Sequence, residues 1–315
     1  MRALLVSNML PDRDHPERGR FVRDQVGALD ALEGVEVVLH EFPPGRRSLL
    51  EAPRELRRRY GRGAGGEPFD VVHAHFGLTA WPAMAVPAAV HALTLHGTDV
   101  AHPRTRLATL AALGRIDLLA CVSAALAARL PRWAAKRAVV LPCGVDIERF
   151  RAIDRPSARA ELGLAPEGRY LLFAADPARP EKRHDRAVEL ARDTGAELLV
   201  LGGVEPERVP LLINASNAVL VPSEREGFGL AVLEALACDV PVLATPVGIH
   251  RKVLEGVAGT LCAEFDLGSW RAALEPHLAS PDPRVDGRRH VERYSSAAMA
   301  QEVLSAWETA LRRSR

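Results

Sequence analysis

Residues 223–245 read SEREGFGLAVLEALACDVPVLAT. The apolar run NAVLVPS, ending at Ser223, reads as a strand; a Gly-Phe-Gly turn follows, and an apolar segment from about Leu230 reads as a helix before the next strand, PVLATPV. Two glutamates stand out within this strand–turn–helix–strand unit. Glu226 precedes the glycine turn, and Glu234 lies eight positions later, inside the apolar helix.

The same alternation extends in both directions. ALLVSNM, VEVVLHEF, FDVVHAHF, LTLHG, DLLACVS and AVVLPCG on the N-terminal side, and RYLLFAAD, AELLVLGG and GTLCAEF around the opening stretch, are short apolar runs bounded by turn residues. Helical spacings separate them, as in RFVRDQVGALDAL, TRLATLAALGRI, SAALAARLPRWAA and DRAVELARDTG. Strands buried on both faces, alternating with helices, imply an α/β doubly wound fold with parallel sheets. The alternation pauses at GVDIERFRAIDRPSA, residues 144–158, which is charged, contains Pro156 and has no apolar run. Two Rossmann-like domains in series are therefore expected, 1–152 and 153–293, followed by a long helix over SSAAMAQEVLSAWETALRRSR that Ser295 or Ser296 caps.

Composition narrows the function. The chain has 315 residues, 48% hydrophobic and 26% charged, with a net charge of +1 that argues against a nucleic-acid partner. Cys121, Cys143, Cys238 and Cys262 lie in or beside apolar runs without metal spacing, and read as buried thiols of a reducing compartment. No stretch approaches a membrane span and the N-terminus carries no signal pattern, so a cytoplasmic protein is expected. GRGAGG, Gly61–Gly66, fits the dinucleotide pattern formally, but it follows an arginine-rich segment and precedes a strand; it reads as a loop.

In a doubly wound domain the ligand lies beyond the carboxyl ends of the strands. Gly227 and Gly229 let backbone approach it, and the free amides at Leu230 suit a phosphate. Glu226 on the loop can reach a polyol, and Glu234, one turn into the helix, can accept two hydrogen bonds from a ribose diol. Spacing alone equally allows a solvated Glu226 and a Glu234 favoured by the helix dipole.

EGFGLAVLEALACDVPVLAT resembles the signature of the retaining GT-B glycosyltransferases of the large GT4 family, with its Glu-x7-Glu motif. The resemblance extends to SNMLPDRDHPERGRFVRDQVGAL, to DVVHAHFG and LTLHGTDV, and to CVSAALAARL and LPCGVDIERF before the linker. VPLLINASNAVLVPS followed by REG resembles the teichuronic-acid-type subset. It implies a GT-B fold, two Rossmann-like domains facing across a cleft, with the C-terminal helix 294–315 crossing back to the first domain. It also implies metal-independent transfer, without a cofactor, from a nucleotide-diphosphate sugar to a glycan, lipid-linked or small-molecule acceptor, with retention of configuration. On this likeness Glu226 binds the donor sugar and Glu234 the ribose. The amides of Gly227, Phe228, Gly229 and Leu230 approach the sugar and diphosphate, and Gly19 approaches the donor phosphate and acceptor.

The chain departs from the family pattern in places. The usual Gly-Arg-x4-Lys is here FAADPARPEKRHD; Lys182 matches, and Arg179 is taken to replace the arginine, whose place falls on Asp176 or Pro177. Both would stabilise the leaving diphosphate, Arg179 as a fork and Lys182 as a point charge. The stretch between VLGG and INAS is short, so one βα unit is expected to be reduced or missing, and Arg251 stands where a glutamate is usual. His96, at a strand end, is assigned to a donor-sugar hydroxyl; Asp99 to the acceptor side or the neighbouring loop. His73 and His75 are expected to alternate across their strand, so that one alone faces the cleft. Arg46–Gly63 carries seven arginines, which suit either peripheral contact with the inner face of an anionic membrane or a solvated face. A GT-B epimerase and a degenerate, non-catalytic partner subunit are the competing readings.

Overall fold

The computed structural model describes residues 1–62 and 67–314. The end of the Gly61–Gly66 match, and Gly63 at the end of the arginine-rich segment, lie outside the described residues. The chain divides into two compact units. The first comprises residues 1–12, 18–144 and 296–315; the second comprises 13–17 and 145–295.

The first unit is built on six parallel strands: β1 (Arg2–Ser7), β2 (Glu36–Glu41), β3 (Phe69–His75), β4 (Ala88–Leu95), β5 (Leu118–Cys121) and β6 (Val139–Val140), in the order β2-β1-β3-β4-β5-β6. The central strands are apolar runs because helices cover both faces: Leu4, Leu5, Val71, Val72 and Leu93 are all fully buried. Helix Arg20–Asp30 buries Val22, Gln25 and Leu29 at helical spacing. The last helix, Ser296–Ser314, packs on Arg20–Asp30 and β4, placing Met299, Ala300, Val303 and Trp307 in the same apolar cluster as Leu5, Val71, Ala92 and Ala120. Ser295, extended at φ −62° and ψ 155°, occupies the position before this helix.

Two features of this unit differ from the sequence reading. SAALAARLPRWAA forms two single turns, Ala124–Ala127 and Arg132–Ala135, broken before Pro131. Residues Arg46–Tyr60 form a helix that the pattern does not announce, since Ala52 and Leu56 are its only fully buried side chains and Pro53 lies inside it.

The second unit has five parallel strands, β7 (Tyr170–Phe173), β8 (Glu197–Val200), β9 (Ala218–Val221), β10 (Val242–Ala244) and β11 (Leu261–Cys262), in the order β11-β10-β9-β7-β8. Its core gathers Phe173, Leu190, Leu220, Leu243, Trp270 and Leu274. A 3-10 turn, Pro206–Arg208, and one short helix, Val209–Ala215, join β8 to β9, which matches the short VLGG–INAS stretch.

The units change over at Gly144–Val145, ahead of residues 152–153. The reason is local: Val145 donates its N–H to Tyr294 O at 2.8 Å and bridges to Ser295, so the charged segment already belongs to the second unit. Helix Arg155–Leu162 starts within it, capped by Asp154, which accepts from Ser157 N at 3.0 Å. Arg155 is fully buried, donating to the carbonyls of Asn214, Ser216, Pro281 and Pro283, and burial lowers its pKa to about 10.

Candidate active site

In the second unit, chain direction across the sheet reverses between β7 and β9, because β8 lies outward on one side and β10 on the other. The loops leaving such a pair diverge and open a crevice at the carboxyl edge. Lys182 lies on the loop after β7 and Glu226 on the loop after β9. Lys182 Nζ donates to both Glu226 oxygens at 2.7 Å, and Ser223 Oγ donates to Oε1 at 2.8 Å. The Glu224 amide donates to Glu181 O at 2.9 Å, tying the loops together. Burial alone would push the Glu226 carboxyl up. The Lys182 ammonium and its hydrogen bonds, with His250 and Ser223, outweigh burial and hold it below the ordinary value.

Helix Leu230–Ala237 begins directly after this loop, and Gly229 precedes it at φ +119°. A Cβ there would lie 2.5 Å from His250 Nε2, so only glycine fits between the helix start and the histidine. Ile249 N donates to Phe228 O at 2.9 Å, and His250 Nδ1 donates to Thr245 O at 2.8 Å. The Phe228 ring is buried, edge-on to Tyr294 at 6.3 Å, so what this residue offers a ligand is backbone. Gly227 and Leu230 flank it, and Glu234 is half-buried one turn into the helix. His250 is the residue that sequence reasoning passed over; it opens the short helix His250–Leu254 after β10, and its signal was a lone histidine past that strand.

Arg179 is placed differently from Lys182. Its guanidinium donates to Glu181 Oε1 at 2.9 and 3.2 Å, and its side chain is 49% exposed. Neighbouring arginines are also engaged: Arg183 with Asp185 and Glu224, Arg186 with Pro222 O.

In the first unit the reversal falls between β1 and β3. Gly19, at φ +70°, opens helix Arg20–Asp30 after the β1 loop, and a Cβ there would collide with Met9 O. His96 follows β4, its ring packed against Phe21 and Phe76 at 4.9 and 4.6 Å. Asp99 is buried and accepts from the backbone amides of Gly77, His96 and Gly97 at 2.6, 2.5 and 3.0 Å. Of its two assignments the geometry favours the loop: Asp99 fixes the turns after β3 and β4 together. Burial raises its pKa, opposed by these backbone bonds.

His73 and His75 do not alternate. Side chains two apart on a strand share a face, and the rings stack at 5.0 Å and 20°. His75 Nδ1 and His96 Nε2 are 3.0 Å apart, and those rings also stack, at 5.2 Å. Burial lowers the pKa of His73 and His96 well below 6.5 and that of His75 to about 4.

Two parallel doubly wound sheets, with a lysine–glutamate pair and a glycine-led helix at one switch point, define a GT-B architecture. Comparison with known proteins makes this specific. Residues 8–149 match the family "Glycosyltransferase Family 4" and residues 180–294 match "Glycosyl transferases group 1". A D-inositol 3-phosphate glycosyltransferase of Segniliparus rotundus is 30% identical over 77% of this chain and 67% of its own length. One from Rhodococcus erythropolis is 34% identical over 55% and 48%. The chain thus spans about half to two thirds of the curated relatives it matches. It belongs to the group 1 glycosyltransferases of the GT4 type.

Among solved structures, sucrose-phosphate synthase from Thermosynechococcus elongatus superposes with a TM-score of 0.75 at 20% identity, over 99% of this chain and all of that one. Anabaena Alr3699/HepE, solved in complex with UDP, gives 0.67 at 14% identity, over 98% of this chain and all of that one. At these identities the likeness is one of fold.

Proposed function

We propose that this chain transfers a glycosyl group from a nucleotide-diphosphate sugar to a hydroxyl acceptor, with retention of configuration and without a metal or other cofactor. The observation that carries this reading is the Lys182–Glu226 pair beside the helix that Gly229 opens. In the reaction the bond from the anomeric carbon to the diphosphate breaks, a bond to the acceptor oxygen forms on the same face, and the acceptor proton passes to the leaving diphosphate. The departing charge meets Lys182 and the amides of Gly229 and Leu230. Glu226 accepts from hydroxyls of the donor sugar, Glu234 from the ribose, and His96 bonds a donor hydroxyl. Arg179 joins the clamp by exchanging Glu181 for a phosphate oxygen.

The D-inositol 3-phosphate glycosyltransferases among the relatives support a small polyol acceptor. The likeness to the teichuronic-acid-type subset supports a glycan. Helix Arg46–Tyr60 exposes Arg46, Arg47, Arg54, Arg57, Arg58 and Arg59 together with Leu50, 78% exposed, and we assign it peripheral contact with anionic lipid. Among the described residues no helix is long and apolar enough to cross a membrane.

The test is transfer or donor hydrolysis against a panel of UDP-, GDP- and ADP-sugars, with the anomeric product read by NMR and chelator present. Activity lost with chelator removes the metal-free route, and an inverted product removes retention. No turnover with any donor, alongside nucleotide-dependent thermal stabilisation, favours the partner-subunit reading, for which the occupied Arg179 speaks.

A further inference from the structure

The stacked histidines of the first unit hold a defined arrangement of protons. The indole of Trp307 can only donate, and its Nε1 lies 3.1 Å from His73 Nδ1. His73 therefore carries its proton on Nε2, which donates to Thr94 Oγ1 at 2.8 Å. Separately, a single proton lies between His75 Nδ1 and His96 Nε2, 3.0 Å apart. His75 Nε2 is buried and has no partner among the described residues. If His96 supplied the shared proton, neutral His75 would bear its own on Nε2, as a buried N–H without an acceptor. With His75 as donor, the buried atom is a bare lone pair. Buried N–H groups without partners are the rarer of the two, and all three rings stay neutral because burial depresses their pKa values.

We propose that His75 is a positioning residue that donates its Nδ1 proton to His96 Nε2, so that His96 carries a proton on Nδ1 and presents a fixed N–H donor to an oxygen of the sugar donor. The two assignments are independent, because His73 and His75 are joined by ring stacking and not by a hydrogen bond: Trp307 fixes the proton of His73, and the buried Nε2 fixes that of His75. The substrate half of this inference rests on the transferase reading; the proton assignment does not. His96 in this state cannot use Nε2 as a base. Its backbone amide is also committed, to Asp99, so Nδ1 is the donor it has to offer.

The experiment is long-range 15N–1H NMR of histidine-labelled, ligand-free protein near neutral pH, for wild type, His75→Asn and His75→Asp. The expected wild-type spectrum shows a protonated Nδ1 and a bare Nε2 on His96. His75→Asn keeps an N–H where Nδ1 stood and should preserve that pattern and near-normal activity. His75→Asp offers only an acceptor and should move the His96 proton to Nε2. The same change should lower kcat/KM for the sugar donor about tenfold, the scale of one hydrogen bond, with free-nucleotide affinity unchanged. A wild-type spectrum with the proton on His96 Nε2 overturns the proposal whatever the variants do, and so does an unmoved tautomer in a folded His75→Asp. The expected spectrum in a protein that transfers no sugar leaves the proton assignment standing and removes the transferase reading.

Discussion

Lys182 and Glu226 hold each other through two hydrogen bonds of 2.7 Å, and their side chains are only 13% and 10% exposed. The pair joins two loops that lie 44 residues apart in sequence. Lys182→Ala should lower turnover at saturating donor by on the order of 10²-fold, the scale of losing one electrostatic stabiliser. It also strands the Glu226 carboxylate, so it should cost about 3 kcal/mol in urea denaturation. Adding Glu226→Gln should restore part of that stability without restoring turnover. Recovery of turnover in the double variant would remove both Lys182 and Glu226 from the transfer step.

The two glutamates should separate in binding. Glu234→Ala should weaken binding of free nucleotide by roughly 1–3 kcal/mol, the scale of charge-assisted hydrogen bonds. Glu226→Ala should leave it unchanged while impairing sugar transfer. Calorimetric titration with free nucleotide decides; wild-type affinity in both variants ends the ribose assignment for Glu234.

Arg179 starts from a bond to Glu181, whereas Lys182 is already fixed in the crevice. Arg179→Ala should therefore lower turnover less than Lys182→Ala does. Arg179→Lys should not fully rescue, because the planar fork is lost. Equal losses would show that Arg179 leaves Glu181 for the diphosphate as readily as Lys182 engages it.

Acid should destabilise the protein well above the carboxylate range. His73, His75 and His96 have folded pKa values below 6.5, His75 at about 4. Between these values and 6.5 the unfolded chain binds protons that the folded chain does not. Stability is thus full above about pH 6.5 and falls on acidification, by up to about 1.4 kcal/mol per pH unit for each histidine. Glu226 acts in a lower window: its depressed pKa gives stability that is full above 4.5 and is lost as pH falls through the folded value. Urea midpoints measured from pH 7.5 to 4 should show the first decline already at pH 6.

Trp307→Phe keeps the ring buried but removes the N–H that His73 accepts. The expected cost is about 1–3 kcal/mol, that of a buried acceptor left unsatisfied. An unchanged denaturation midpoint would show that the His73 bond contributes nothing.

What the sequence disclosed follows from burial. Parallel strands covered on both faces must be apolar runs, so β1, β3 and β9 could be read directly, and so could the last helix from its buried spacing. Charge was the blind spot. Arg155 reads as linker, yet it is fully buried because carbonyls left open at the end of helix Val209–Ala215 and at 281–283 converge on it. Lys182 and Glu226 could be named singly, but their contact depends on which strands are neighbours, and no spacing in the chain encodes that. The His73–His75 stack was misjudged although the two-residue repeat of a strand predicts it.

The return of residues 296–314 to the first unit also sets an order of events at the ribosome. Apart from residues 13–17, the second unit is one continuous segment, and it can close as soon as residue 295 has emerged. The first unit cannot: Met299, Val303 and Trp307 complete a core whose other members, Leu5 and Val71 among them, were synthesised more than 200 residues earlier. Its strands must wait with one apolar face only partly covered, by helix Arg20–Asp30, while the whole second unit is made, and chains exposing such a face are prone to aggregate. A chain stopped at residue 295 should therefore carry a finished second unit beside an open first one, and should need a chaperone to stay in solution.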